Sequence, residues 1–253
     1  MSLPEDPLLA YLLRLGDDNL IVAHRLSELV SRMPELEEDI TVANLSLDHL
    51  GQARLLYSYG AEVEGAGRGE DQLAMLRDER DFLNAVLVEQ PNGDFGHSMA
   101  RQLFVDAYQV PLYEALVESA DATIAEIAQI GAKEARYHLG HSSAWVIRLG
   151  DGTEESHRRM QAGLDALWPF TEDLFAADHV EAQLQQSGVA ADLENVHQRW
   201  VTTITEVLNQ ATLTLPVDEY QRGGGRIGVH TKHLGHLLPE MQNLYRTHPG
   251  VSW

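Results

Sequence analysis

Residues 121–150 read DATIAEIAQIGAKEARYHLGHSSAWVIRLG. Apolar side chains recur there every three or four positions, which is the period of a helix. Asp121 stands where an N-cap belongs, and Gly150-Asp151-Gly152 closes the pattern. The spacing predicts one helix from Asp121 to Leu149. On it, Glu134 shares a row with Ile127, Ile130, Tyr137, His141 and Trp145. A carboxylate on an apolar row needs a partner, a proton or a metal, because burying it alone is costly.

The same period extends in both directions. Asp6-Pro7 reads as an N-cap followed by proline at the first helical position. The helix it opens carries Leu8, Leu12, Leu15, Val22, Leu26 and Leu29, and Pro34 stops it. A second helix is expected from Glu35 to Tyr59, with Leu36, Ile40, Ala43, Leu47 and Leu50 on one face. After a glycine-rich loop, a shorter helix is expected from Asp71 to Glu89, ending at the turn Gln90-Pro91-Asn92-Gly93. A third long helix starts at Asp94, runs to Ser119 and is expected to kink at Pro111. Beyond Gly152, helices are expected from Thr153 to Ala177, from Asp192 to Leu213, and from Thr231 to Tyr245 around Pro239. No strand alternation is visible. The pattern predicts an all-α chain with a ferritin-like four-helix bundle core and additional C-terminal helices, in a single domain over 1–253.

Composition narrows the function. The 253 residues include 39 acidic and 18 basic side chains, a net charge of −21. A surface so negative repels nucleic acid and anionic lipid. There is no cysteine, so disulfides, thiolate metal sites and a cysteine nucleophile are excluded. The first residues lack the basic start of a signal peptide, and no apolar run approaches the ~20 residues of a membrane span. A soluble, cytoplasmic protein is expected.

Each of the four long helices carries an acid near its middle: Asp17 or Asp18, Asp48, Asp106 and Glu134. A ferritin-like di-iron site takes a carboxylate from each of two helices and Glu-x-x-His from each of the other two. Here Asp48 is followed by Gly51, and Glu134 by Tyr137, at the positions a histidine would fill. The acids are present and the histidines are not, so no redox-active iron pair and no cofactor are expected in this chain. An inserted arginine or lysine, a tyrosine hydroxyl or water is expected to neutralise the acids.

Other polar groups carry weaker signals. His230, His233 and His236 drift around a helix and do not converge on a metal, and His138 and His141 lack a third ligand. Arg222, Arg226 and Lys232 concentrate positive charge around the glycine-rich loop RGGGRIG (222–228), which makes them candidates for contact with an anion or a partner.

Several stretches resemble a known family: LRLGDDNLIVAHRL (13–26), LDHLGQARLLY (47–57), RDERDFLNAVLVEQPNGDF (77–95), KEARYHLGHSSAWVIRLGDGT (133–153) and HTKHLGHLLPEMQNLYRTHPG (230–250). They look like the C subunit of the bacterial phenylacetyl-CoA 1,2-epoxidase. The resemblance implies a ferritin-like fold and a non-catalytic, structural role. It also implies a complex with an A subunit that holds the di-iron site, a reductase subunit that brings electrons from NADPH, and a CoA thioester as substrate. It puts Asp48, Gly51, Asp106, Glu134 and Tyr137 at vestigial ligand positions, with the first-helix member open between Asp17 and Asp18, and leaves a homodimer open. The competing readings are an independent di-metal carboxylate oxidoreductase and an iron-binding bundle.

Overall fold

A computed structural model describes residues 4–217, 220–248 and 251. Among these residues the chain is all-α, with no strand. The helices are α1 (Pro7–Ser27), α2 (Leu36–Glu64), α3 (Glu70–Met75), α4 (Phe95–Leu116), α5 (Ala122–Gly150), α6 (Glu154–Leu167), α7 (His179–Gln186), α8 (Leu193–Gln210) and α9 (Lys232–Thr247). None is long and apolar enough to cross a membrane. The chain, expected as one domain, comprises two compact units: residues 1–91 with 223–253, and residues 92–222.

The first unit is built on the antiparallel hairpin of α1 and α2. The Asp6 carboxylate accepts from the Leu8 amide at 2.8 Å and starts α1, with Pro7 behind it. Residues 9–23 of α1 are all buried, so this helix is interior on every side. Gly16 lets α2 approach closely: a Cβ there would come within 2.8 Å of the Tyr57 ring. The chain leaves α1 at Ser27, before Pro34, because Asp39 takes the Ser31 and Met33 amides and turns residues 28–35 into α2.

The predicted helix Asp71–Glu89 is shorter than expected. Only Glu70–Met75 is α-helical, and Glu79–Asp81 is a 3-10 turn. Residues 82–90 are irregular, yet all are buried. A buried loop must find partners for its backbone, and here they come from distant side chains. Leu83 and Ala85 donate their amides to Asp17 and Asp18, at 2.7 and 2.8 Å. The Glu89 carbonyl accepts from Arg25 at 2.7 Å. Local periodicity carries no trace of such pairings.

In the second unit α4 and α5 form an antiparallel hairpin, with Asp94 and Asp121 as N-caps. Residues 98–109 of α4 are buried throughout. Trp200 of α8 donates its indole N–H to the Phe104 carbonyl at 2.9 Å and gathers Phe104, Trp168 and Phe175 around it. The predicted helix from Thr153 stops at Leu167, because Trp168-Pro169-Phe170 closes it as a 3-10 turn. A second such turn and α7 follow.

Candidate functional site

Asp17 is fully buried and saturated with donors. Arg77 reaches it through both terminal nitrogens, the Tyr57 hydroxyl donates to it, and the Leu83 amide lies 2.7 Å away. The same guanidinium stacks on Phe82, 4.3 Å from the ring centre, and donates to the Asp81 carbonyl at 2.8 Å. Burial pulls the Arg77 pKa down, but the Asp17 charge outweighs it and holds the guanidinium above its ordinary range. Burial pushes the Tyr57 hydroxyl well above 10, with the Asp17 charge adding to the shift.

Asp18 has its own cation. Arg226 from the glycine-rich loop pairs with it at 2.8 Å and donates to the Leu83 and Arg14 carbonyls. Burial raises the Asp18 pKa, and the Arg226 charge opposes that rise. Gly228 fixes the loop here: it has φ +75, and a Cβ would collide with the Arg80 carbonyl. The first-helix acid, left open between Asp17 and Asp18, is therefore both residues, each holding an arginine and a loop amide.

The rows that face inward on α2 and α5 are not those expected. Asp48 and Glu134 are half-buried, and Gly51 and Tyr137 are exposed. A Cβ built on Gly51 meets nothing within 4 Å. The buried row of α2 carries Ser46, His49 and Gln52, and that of α5 carries Ala135, His138 and Ser142. The expected rows lie one residue too early, a rotation of about 100°. Shifted by one residue, Asp48 with Gly51 becomes His49 with Gln52, and Glu134 with Tyr137 becomes Ala135 with His138. Each inward pair then holds one histidine and no carboxylate, where an acid without a histidine was expected.

His49 sits against Asn19 of α1, its Nδ1 3.0 Å from the amide oxygen, while the Ser46 hydroxyl donates to the Ala23 carbonyl at 2.7 Å. In the second unit Asp106 accepts from Gln102 and Ser142, each at 2.7 Å. An oxygen of Asp106 and a ring nitrogen of His138 lie within 4.8 Å. Burial pushes the Asp106 carboxyl up to about 6, against the opposing charge of His138 and the two hydrogen bonds.

These residues do not fit a di-iron pair. Among the described residues, α2 and α5 place no buried carboxylate on their inward rows, and α1 spends both of its acids on arginines.

The basic cluster is also divided. Arg226 is buried in its ion pair and offers no surface charge, which corrects its assignment as a contact for an anion or partner. Arg222 and Lys232 are exposed, and Arg222 stacks over Phe170 and Tyr220. His230 is tied down: its Nδ1 lies 2.8 Å from Glu89 and its Nε2 2.8 Å from the Phe82 carbonyl. Glu89 also accepts from Asn84 at 3.0 Å and from the Thr231 amide. Sequence reasoning misses Arg77, Tyr57 and Glu89 as partners because they lie 40 residues or more along the chain from the Asp17 and His230 side chains they bind.

The chain matches the family described as phenylacetic acid catabolic protein over residues 2–253. It is similar to the C subunit of the 1,2-phenylacetyl-CoA epoxidase of Escherichia coli (strain K12). The two are 48% identical over 246 residues, covering 97% of this chain and 99% of that protein. Its all-helical fold agrees with the ferritin-like fold of that family, and the match along nearly the whole length means that the chain belongs to the phenylacetic acid catabolic protein family.

Proposed function

We propose that this chain is a non-catalytic, structural subunit of a cytoplasmic phenylacetyl-CoA epoxidase complex. It binds and stabilises the catalytic A subunit, which carries the di-iron site and receives electrons from the reductase subunit. The observation that carries this reading is chemical. The inward rows of α2 and α5, on which a di-iron protein carries Glu-x-x-His, hold His49 and His138 but no buried carboxylate, while Arg77 and Arg226 take up the first-helix acids. The similarity to the C subunit of an epoxidase points the same way.

A chain with this helical hairpin geometry can pack against a living di-iron bundle and stabilise it by mass action. Of the three cations expected to meet an anion, Arg222 and Lys232 stay accessible for a CoA phosphate or for the partner. The test is co-expression with the catalytic subunit, followed by iron analysis of each purified chain. Iron is expected in the partner alone, and Asp106→Asn is expected to leave turnover of the assembled complex within about twofold. Two irons in this chain would overturn the reading in favour of an independent di-metal oxidoreductase. So would a fall of about a thousand-fold in turnover with assembly intact, which amounts to about 4 kcal/mol of transition-state stabilisation.

A further inference from the structure

The outward face of α2 is apolar along most of its length. Leu36 is 70% exposed, Ile40 55% and Leu47 63%, with Leu50 and Leu55 also open to solvent. The spacing of 36, 40, 47, 50 and 55 keeps these side chains on one side of the helix, opposite the buried row of Val42, Leu45, His49 and Leu56. From Leu36 to Leu55 the row runs about 29 Å at 1.5 Å per residue. A helix that is apolar on both sides is normally covered on both sides, and an exposed row of large apolar side chains of this kind marks an interaction surface. In the middle of the row stands Gly51, where an added Cβ would meet nothing within 4 Å. Between Leu47 and Leu55 it makes a notch into which a side chain of an opposing helix can pack.

Charge selects the occupant. Glu35 and Glu37 border the stripe at one end and Glu62 at the other, all exposed, and none has an ion pair among the described residues. Arg54, the basic residue on this face, is already paired with Glu70 at 2.8 Å. A second copy of a chain of net charge −21 would bring like charge against like. The face fits a helical partner with an apolar ridge bordered by lysine or arginine.

We infer that the outward face of α2, from Leu36 to Leu55 with its notch at Gly51, is the surface on which the di-iron catalytic subunit docks. This rests on the function proposed above and assigns the surface through which it is exerted.

The test measures binding of the purified catalytic subunit to the full-length chain and to three variants. Leu47→Asp and Gly51→Trp alter solvent-facing positions, so thermal melting and circular dichroism should match the wild type. Each is expected to weaken binding at least about tenfold, since the centre of an interface carries most of its energy. Glu37→Lys combined with Glu62→Lys is expected to slow association and to flatten its salt dependence. Folded Leu47→Asp and Gly51→Trp proteins that bind like the wild type would overturn the docking face while leaving the proposed function standing. A wild-type chain that fails to bind the catalytic subunit would overturn both. If the same variants instead abolish self-association of the isolated chain and leave the heteromer intact, the occupant is a second copy and the inference fails.

Discussion

Arg226 and Asp18 lie 208 residues apart in the chain and 2.8 Å apart in the fold, both shielded from water. The pair joins the glycine-rich loop to the centre of α1, and Asp18 also holds the Ala85 amide. Removing one partner leaves the other charge buried without compensation. We expect Arg226→Met to destabilise the protein by about 3–5 kcal/mol, and the double variant Arg226→Met with Asp18→Asn to cost clearly less than the sum of the two single changes. Chemical denaturation of the four proteins measures the coupling, and strict additivity would show that the pair contributes no interaction energy.

His230 is expected to be a cation in the folded state, because both ring nitrogens face acceptors, Glu89 and the Phe82 carbonyl. Burial pulls its pKa down, but the bond to Glu89, the charges of Glu89 and Asp17 and the Phe82 carbonyl together hold it above 6.5. The folded value exceeds the unfolded one. The stabilisation is therefore complete below pH 6.5 and is lost as the pH rises through the raised value. The His230 ring proton shifts, followed by NMR against pH, should titrate above 6.5. His230→Gln should remove this component from the pH dependence of the melting temperature.

Asp106 behaves in the opposite sense to an ordinary ion-paired acid. Its carboxyl is raised from 3.8 to about 6, chiefly by burial. The folded state binds the proton more tightly, so stability falls as the pH rises from 3.8 to about 6. Asp106→Asn keeps an acceptor for Gln102 and removes the charge. It should stabilise the protein above pH 6 by up to about 3 kcal/mol and flatten the curve between those values. A denaturation series in which the variant keeps the wild-type slope would show that Asp106 does not carry it.

Gly228 has φ +75 and lies against the Arg80 carbonyl. Alanine there suffers both the backbone penalty and the collision. We expect a loss of about 1–3 kcal/mol, read as a fall of several degrees in melting temperature. Gly140 has no neighbour within 4 Å of an added Cβ, and Gly140→Ala serves as the comparison that should not be destabilised.

The long helices and their caps are legible because a helix declares itself within a few residues. Asp6, Asp94 and Asp121 cap where their spacing implies. The interior rows of α2 and α5 are not legible, and the reason is specific. Leu36, Ile40 and Leu47 outside α2, and Ile130 and Tyr137 outside α5, are as apolar as the residues inside. Periodicity measures contrast between faces, and where both faces are apolar it cannot say which is inner. His49 and His138 sit one position beyond Asp48 and Tyr137, so a shift of one residue replaces each expected acid-bearing pair by one with a histidine and no carboxylate. The buried loop 82–90 escapes for a different cause: its partners come from α1, far outside any local window.

The first unit is discontinuous, closed by a residue that leaves the ribosome some 200 positions after the acid it pairs with. At about 5–20 residues per second this leaves an interval of roughly 10–40 s. During it α1 has been made, while the cation for Asp18 has not. Asp17 and Arg77 can meet early, but the central helix cannot be sealed from water until residues 92–222 have been synthesised in between. The N-terminal hairpin thus waits, half assembled, for the last part of the polypeptide, and a nascent chain stalled before Arg226 carries an open core.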